Sequence, residues 1–349
     1  MKPLKVTPDV SIRQAMKRLC QLGEKCLVVV DGEGVLLGTL SDGDLRKAIL
    51  AGSSIGDAIE GIYQVNPTVL LDGKYQLEEA KALFTENRFD LIPVVDEKHR
   101  VVELLFWETV LGSGEVKEKE FLECPVVIMA GGKGSRMEPF TKILPKALVP
   151  INDKPIIEHI IDRFTAVGVR KFIVTVNYKM KILKAFFEEL DPEFSVEFVE
   201  EKNPLGTAGS LKELDLVWDK PLMVTNCDIM VKTDYRDLYS FHNDSGFDIT
   251  LVASTKTYAI PYGTCELNDE GYLKQIDEKP EYHFLVNTGL YVLSPRVLDL
   301  IPAKKQYHIT NLIDDAQNMG MKVGVYPIDE DTWIDVGEWT EYRQAVERL

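Results

Sequence analysis

The chain of 349 residues is 45% hydrophobic and 28% charged, an ordinary globular balance, and at about 100 to 200 residues per domain it has room for two cores. Forty Lys and Arg against 56 Asp and Glu leave a formal charge of -16, whose field repels phosphate backbones and argues against nucleic acid as a partner. No run reaches the roughly 18 unbroken apolar residues of a membrane span, so membrane insertion is excluded as well.

The first residues are interrupted by charge every few positions and lack the apolar core and cleavage site of a secretory signal. Five scattered cysteines without a CxxC pair suit neither a disulfide framework nor a zinc knuckle, and a reducing cytoplasm is the expected location. Residues 6–46 and 71–111 then match at an offset of 65 without a gap. Ile12, Ala15, Leu19 and Leu27–Asp31 correspond to Leu77, Ala80, Phe84 and Ile92–Asp96. Each copy reads as an amphipathic helix, a β-branched strand, a turn, a second strand and a second helix. After Val110 a stretch rich in Gly and charge reads as a linker. The expected division is residues 1–115 (copies about 1–60 and 61–115), linker 116–122, and a second domain over 123–349.

From Pro125 onward apolar strands alternate with helical stretches, the pattern of a doubly wound α/β fold. Its first strand runs into Ala130-Gly-Gly-Lys-Gly-Ser-Arg136, where glycines let backbone N–H groups approach a phosphate chain. The loop is neither a dinucleotide fingerprint, since Met137 stands where the third glycine belongs, nor a Walker loop, since Gly-Lys-Ser/Thr is absent. Lys133, Arg136, Lys142 and Lys146 face one acid, Glu138, a local charge of +3 that suits a triphosphate. Asp228 ends an apolar strand and Asp335 follows another. At the carboxyl edge of an open sheet two such acids make a hard oxygen site suited to Mg²⁺.

The stretch AGGKGSRMEPFTKILPKALVPINDKPII resembles the opening of the sugar-1-phosphate nucleotidyltransferases, and the resemblance extends over about 124–349. Glu201–Gly209, Asn226–Asp228, Glu278–Pro280 and Trp333–Gly337 agree with that family in order. The resemblance implies a Rossmann-like (GT-A-like) domain in which Ala130, Gly131, Gly132, Gly134, Ser135, Glu201, Pro204, Gly206 and Thr207 hold the nucleotide. It gives Arg136, Lys146 and Lys279 to charge stabilisation, Asp228 and Asp335 to Mg²⁺, and Gly263, Glu278, Asn287 and Thr288 to the sugar. The implied reaction is attack of a sugar 1-phosphate on the α-phosphorus of an NTP. Its nucleophile is already ionised, so the protein's task is positioning and charge neutralisation.

A carboxylate at Glu201 or Glu200 can accept the N1–H and exocyclic N–H₂ of guanine, which favours GTP. The repeated half resembles a tandem CBS pair, a module that binds adenine nucleotides. The fusion resembles the guanylyltransferases of legionaminic acid synthesis, which implies glucosamine 1-phosphate. Uridylyl- and thymidylyltransferases share nearly all the motifs and stay open, as does a non-catalytic nucleotide-sensing scaffold. A glycosyltransferase of similar fold would carry a second acid after Asp228, where Ile229-Met230 stand. In the first CBS copy Gly38, Ser41 and Asp44 match the ribose-binding pattern, although Ser41 and Asp44 serve equally as a helix cap. The second copy has Glu103, Phe106 and Thr109 at those positions, so at most one full site is expected. A homo-oligomer is compatible with all of this.

Overall fold

The computed structural model describes residues 4–87, 89–106, 110, 121–214 and 219–348. The expected linker, apart from Phe121 and Leu122, and Thr109 lie outside the described residues. Two compact units emerge: one gathers the described residues before 119 with 255–286 and 329–331, and the other gathers the rest. By contacts, therefore, 255–286 group with the first unit, although in the sequence they continue the text of the second domain.

In the first unit, β1 (Lys5–Val6), α1 (Ile12–Leu22), β2 (Cys26–Val30), β3 (Leu36–Ser41) and α2 (Asp42–Leu50) form one copy. After β4 (Gln64–Val65), the second copy is β5 (Leu70–Leu71), α3 (Leu77–Asn87), β6 (Leu91–Val95) and β7 (Val101–Phe106). Helix α1 starts in a capping box, with the Gln14 amide donating to Ser11 Oγ (3.2 Å) and the Ser11 amide to Gln14 Oε1 (3.0 Å). It ends at Gly23 and buries Ile12, Ala15, Met16 and Leu19.

The repeat is kept at the level of hydrogen bonds. The β2–β3 ladder has a register shift between Val29 and Val30, and the β6–β7 ladder has one between Val94 and Val95, 65 residues on. Asp31 Oδ1 accepts the amides of Glu33 and Val35 at 2.9 and 2.8 Å, while Asp96 Oδ1 accepts those of Lys98 and Arg100, both at 2.9 Å. The offset is not constant, however. Val6 pairs with Val29, whereas Leu70 pairs with Val94, so the opening strand is displaced by 64. The two turns bind each other reciprocally: Leu36 N–H donates to His99 O (2.9 Å) and Val101 N–H to Gly34 O (3.1 Å). One hydrophobic cluster contains Leu27, Val29 and Leu45 from the first copy and Leu91, Val95 and Val101 from the second.

In the second unit the strands β8 (Val126–Met129), β11 (Lys171–Val176), β12 (Ser195–Glu200) and β13 (Leu222–Asn226) are parallel and ordered β12-β11-β8-β13. A short hairpin, β9 (Pro150–Ile151) and β10 (Lys154–Pro155), lies between β8 and β11 in sequence. The sheet continues through β18 (Glu281–Leu293), antiparallel to β13, then β15 (Ile249–Ala259) and β19 (Val323–Ile328). A separate pair joins β14 (Ile229–Val231) to β20 (Trp333–Asp335). Helices α4 (Ile156–Thr165), α5 (Met180–Leu190), α6 (Tyr235–Ser245), α7 (Ile309–Asn318) and α8 (Trp339–Arg348) accompany the sheet.

Val126 and Ile128 enter one core cluster while Val127 and Met129 enter another, so β8 is covered on both faces and reads as a continuous apolar run. The chain leaves β8 for β11 on one side and returns to β13 on the other. That reversal opens a crevice beyond the carboxyl ends of β8 and β13.

Candidate active site

The glycine-rich loop follows β8, and its glycines differ in what they serve. A Cβ on Gly131 would stand 2.6 Å from Glu201 Oε1, and one on Gly134, at φ +66, would stand 2.9 Å from Thr141 Cγ2. Both are therefore required by the protein's own packing. Gly132 has nothing within 4 Å of a built Cβ. Gly132→Ala should leave thermal stability within about 0.5 kcal/mol of wild type, whereas Gly131→Ala should cost about 1–3 kcal/mol through overpacking against a buried side chain. Denaturation curves of the two variants check this. Ala130 continues the ladder, its amide donating to Thr175 O (2.8 Å), and Ser135 opens a short 3-10 turn, Ser135–Met137.

The two distant acids meet. Strand β14 pairs with β20 so that Ile229 opposes Asp335, and the Val336 amide donates to Asp228 O (2.8 Å). Asp335 is partly buried, and its Oδ1 accepts the Gly337 amide (2.6 Å). Burial first, and the neighbouring Asp228 charge second, hold its carboxyl above the usual aspartate range. Lys146, only 8% exposed, donates to Asp228 Oδ2. Arg136 reaches the same region from the loop, its Nη1 donating to Glu338 Oε1 (2.7 Å). The Glu338 hydrogen bond above all, with the charges of Glu338, Asp335 and Asp228, raises the affinity of its guanidinium for the proton. Between Asn226 and Asp228, burial pushes the Cys227 thiol up to about 12, so it stays protonated at neutral pH.

Glu201 follows β12 and is 5% exposed. Burial raises its carboxyl pKa, partly offset by the Leu205 amide, which donates to Oε2 (3.2 Å). Downstream, Pro204 is exposed, while a Cβ on Gly206 would stand 2.6 Å from Tyr307 O. The Ala208 and Gly209 amides both donate to Tyr307 O (3.0 Å), and the Ile309 amide donates to Thr207 Oγ1 (2.9 Å), tying this loop to the start of α7.

On β18, Asn287 Nδ2 donates to the Tyr291 hydroxyl (2.7 Å) and its Oδ1 accepts the Gly289 amide (3.0 Å). Thr288 is 2% exposed and donates to Val252 O (2.8 Å), so its hydroxyl pins the sheet instead of facing a ligand. In the 255–286 segment, β16 (Thr264–Leu267) pairs with β17 (Leu273–Asp277), which brings Gly263 beside Glu278: a Cβ there would lie 2.9 Å from Glu278 Oε2. Lys279 has φ +51, unusual for a residue with a side chain, and its amide donates to Tyr262 O (3.3 Å).

In the first unit Ser41 and Asp44 form a capping box on α2. The Asp44 amide donates to Ser41 Oγ (3.1 Å), and Asp44 Oδ2 accepts from the Ser41 amide (2.9 Å) and hydroxyl (2.6 Å). The cap reading of these residues is thus realised. Gly38 is explained by strand pairing, since a Cβ would stand 2.4 Å from Gln64 O. Among the described residues no group of three or more His, Cys, Asp or Glu side chains is arranged to hold a metal, and no helix is long and apolar enough to cross a membrane.

Sequence reasoning missed Glu338, Tyr307 and Trp339. Glu338 directly follows the Trp333–Gly337 motif, and only its contact with Arg136, 202 residues away, marks it out.

A glycine-rich loop, two cations and two adjacent acids thus gather beyond the carboxyl edge of an α/β sheet, where folds of this class bind their ligands. The chain belongs to the nucleotidyl transferase family, whose sequence model matches residues 125–349, and a CBS domain model matches residues 1–51. The mannose-1-phosphate guanyltransferase of Debaryomyces hansenii is 33% identical over 228 residues, covering 61% of this chain and 60% of that protein. Its Saccharomyces cerevisiae counterpart is 31% identical over 227 residues, covering 61% of each. The chain thus spans about three-fifths of the length of these curated relatives. The crystal structure of HddC from Yersinia pseudotuberculosis has the same fold, with a TM-score of 0.52 at 24% identity over 64% of this chain and 99% of that one. A second HddC structure, complexed with GMP-PN, gives 0.51 at 23% identity, with 64% and 99% covered.

Proposed function

We propose that the chain transfers a guanylyl group from GTP to a hexose or hexosamine 1-phosphate, releasing pyrophosphate. The observation that carries this reading is the meeting of Asp228 and Asp335 across β14 and β20, with Lys146 and Arg136 beside them. The sugar's phosphate oxygen attacks the α-phosphorus, the new P–O bond forms as the bond to the β-phosphate oxygen breaks, and that electron pair leaves on pyrophosphate. No proton need move. Lys146 and Arg136 neutralise the triphosphate, and Lys279 is the cation for the sugar's phosphate. Two crowded hard oxygen donors fit Mg²⁺, which when bound would offset charge on the phosphates.

The buried carboxyl of Glu201 supports guanine as the base, since it offers acceptors and lies against Gly131 of the loop. Mannose-1-phosphate guanyltransferases among the relatives support the same base. For the sugar, the resemblance to legionaminic acid enzymes favours glucosamine 1-phosphate, and the relatives keep mannose 1-phosphate as the second candidate. An adenine nucleotide at the first CBS copy would have its ribose replace the internal partners of Ser41 and Asp44.

Pyrophosphate release across GTP, ATP, UTP, dTTP and CTP, each paired with glucosamine, glucose and mannose 1-phosphates in Mg²⁺, tests the reading. Turnover with GTP at least about tenfold above the other nucleotides is expected, the scale on which correctly placed base contacts discriminate. Preference for UTP or dTTP would remove the guanylyl assignment, and silence with every pair would remove the activity.

A further inference from the structure

The loop that carries Arg136 is fastened to the first turns of the C-terminal helix. The Arg136 Nη1 donates to Glu338 Oε1 (2.7 Å), the Trp339 indole N–H donates to Glu138 O (3.0 Å), and the Tyr342 hydroxyl donates to Pro150 O (2.6 Å). Phe140 packs between the same elements, its ring centroid 5.1 Å from that of Trp339 and 6.4 Å from that of Tyr342. The same stretch is also held by Lys179, whose Nζ donates to the carbonyls of Thr141 (3.1 Å) and Lys142 (2.6 Å). The backbone just after Arg136 is thus fixed, yet the Arg136 side chain is 70% exposed. A long exposed side chain retains rotamer freedom, and ordering it on a ligand costs conformational entropy unless something orders it beforehand.

We infer that Glu338 is a positioning residue for Arg136: it takes one donor of the guanidinium and turns the others toward the Asp228–Asp335 pair. The hydrogen bond to Glu338 engages Nη1, and a guanidinium carries five N–H donors, so a triphosphate can bind while Glu338 stays in place. The direction is consistent with the charges Arg136 senses, which after Glu338 are those of Asp335 and Asp228. An exposed pair of this kind adds little to fold stability. Its role is preorganisation, which acts on binding and on geometry during reaction.

The inference rests on the proposed transferase reading, and the experiment separates the two. Glu338→Ala, Glu338→Gln, Arg136→Ala and the double variant Arg136→Ala/Glu338→Ala are compared with wild type for KM and kcat toward the NTP. Titration calorimetry with GTP and Mg²⁺ supplies a binding readout that needs no turnover. Glu338→Ala should raise the KM, and the calorimetric Kd, three- to tenfold with kcat within about threefold and the melting temperature unchanged. Glu338→Gln keeps an acceptor and should recover at least half of the loss. The double variant should be no worse than Arg136→Ala, because Glu338 acts through that side chain. Unchanged binding in Glu338→Ala, or losses in the double variant that multiply, would overturn the inference while leaving the transferase reading intact. Tighter binding in Glu338→Ala would overturn it too, showing that Glu338 competes with the triphosphate for the arginine. Unchanged binding in Arg136→Ala would remove both Arg136 and Glu338 from the site.

Discussion

Asp228→Asn should lower kcat by about a hundredfold or more, the loss that follows removal of one preorganised charge at a reacting centre. Asn is nearly isosteric and still accepts a hydrogen bond from Lys146, so the hairpin with Asp335 should persist. What disappears is one of two adjacent negative charges in the proposed site, and with it the charge that balances a lysine only 8% exposed. Folding stability should fall by about 1.5–3 kcal/mol, the range for hydrogen bonds to charged groups, so turnover must be measured well below the melting temperature. Steady-state assays over a magnesium titration decide it. Near-normal turnover at every concentration would withdraw Asp228 from the metal site.

Acid should destabilise the second unit through His242. The imidazole is 1% exposed, with Nδ1 2.8 Å from Thr250 Oγ1 and Nε2 3.0 Å from Ser294 Oγ. Burial lowers its pKa to about 4, and the nearby Asp248 charge only partly opposes the shift. Asp248 is itself fully buried and is held by Arg296 and by the Lys322 amide (2.8 Å). The folded state therefore keeps the ring neutral while the unfolded chain takes up a proton below its ordinary value of 6.5. Between those two values the unfolded state binds more protons, so stability falls as pH falls, by about 2–3 kcal/mol from pH 7 to pH 4.5. Urea titrations of wild type and His242→Gln at both pH values isolate this contribution. An equal acid-induced loss in the two proteins would show that His242 is not its source.

The parts of this molecule that could be read from sequence are those whose signals are local. The repeat was visible because hairpins of one geometry need the same residue types at the same spacing, as Asp31 and Asp96 show. The displaced opening strand was not visible, since Lys5–Val6 and Leu70–Leu71 are too short to carry a period of their own. Asp228 and Asp335 could be nominated because each ends a strand, but only the β14–β20 pairing brings them together. Thr288 is given to the sugar by the family resemblance alone, and nothing local foretells that its hydroxyl donates to Val252. The grouping of 255–286 with the first unit was also hidden. Strand periodicity reports which face is apolar, not which unit the far end of a strand groups with.

The reciprocal bonds between the turns at Gly34 and His99 imply that neither half of the N-terminal repeat is a free-standing module. A stretch ending between the copies would lose Leu91, Val95 and Val101 from its interior and leave Leu36 N–H and Gly34 O to water. The two copies are interdependent, so a substitution in the interior of one is felt by its twin. The later copy, whatever it binds, thus acts as a buttress for the earlier one, closing its hydrophobic interior and pairing its turn.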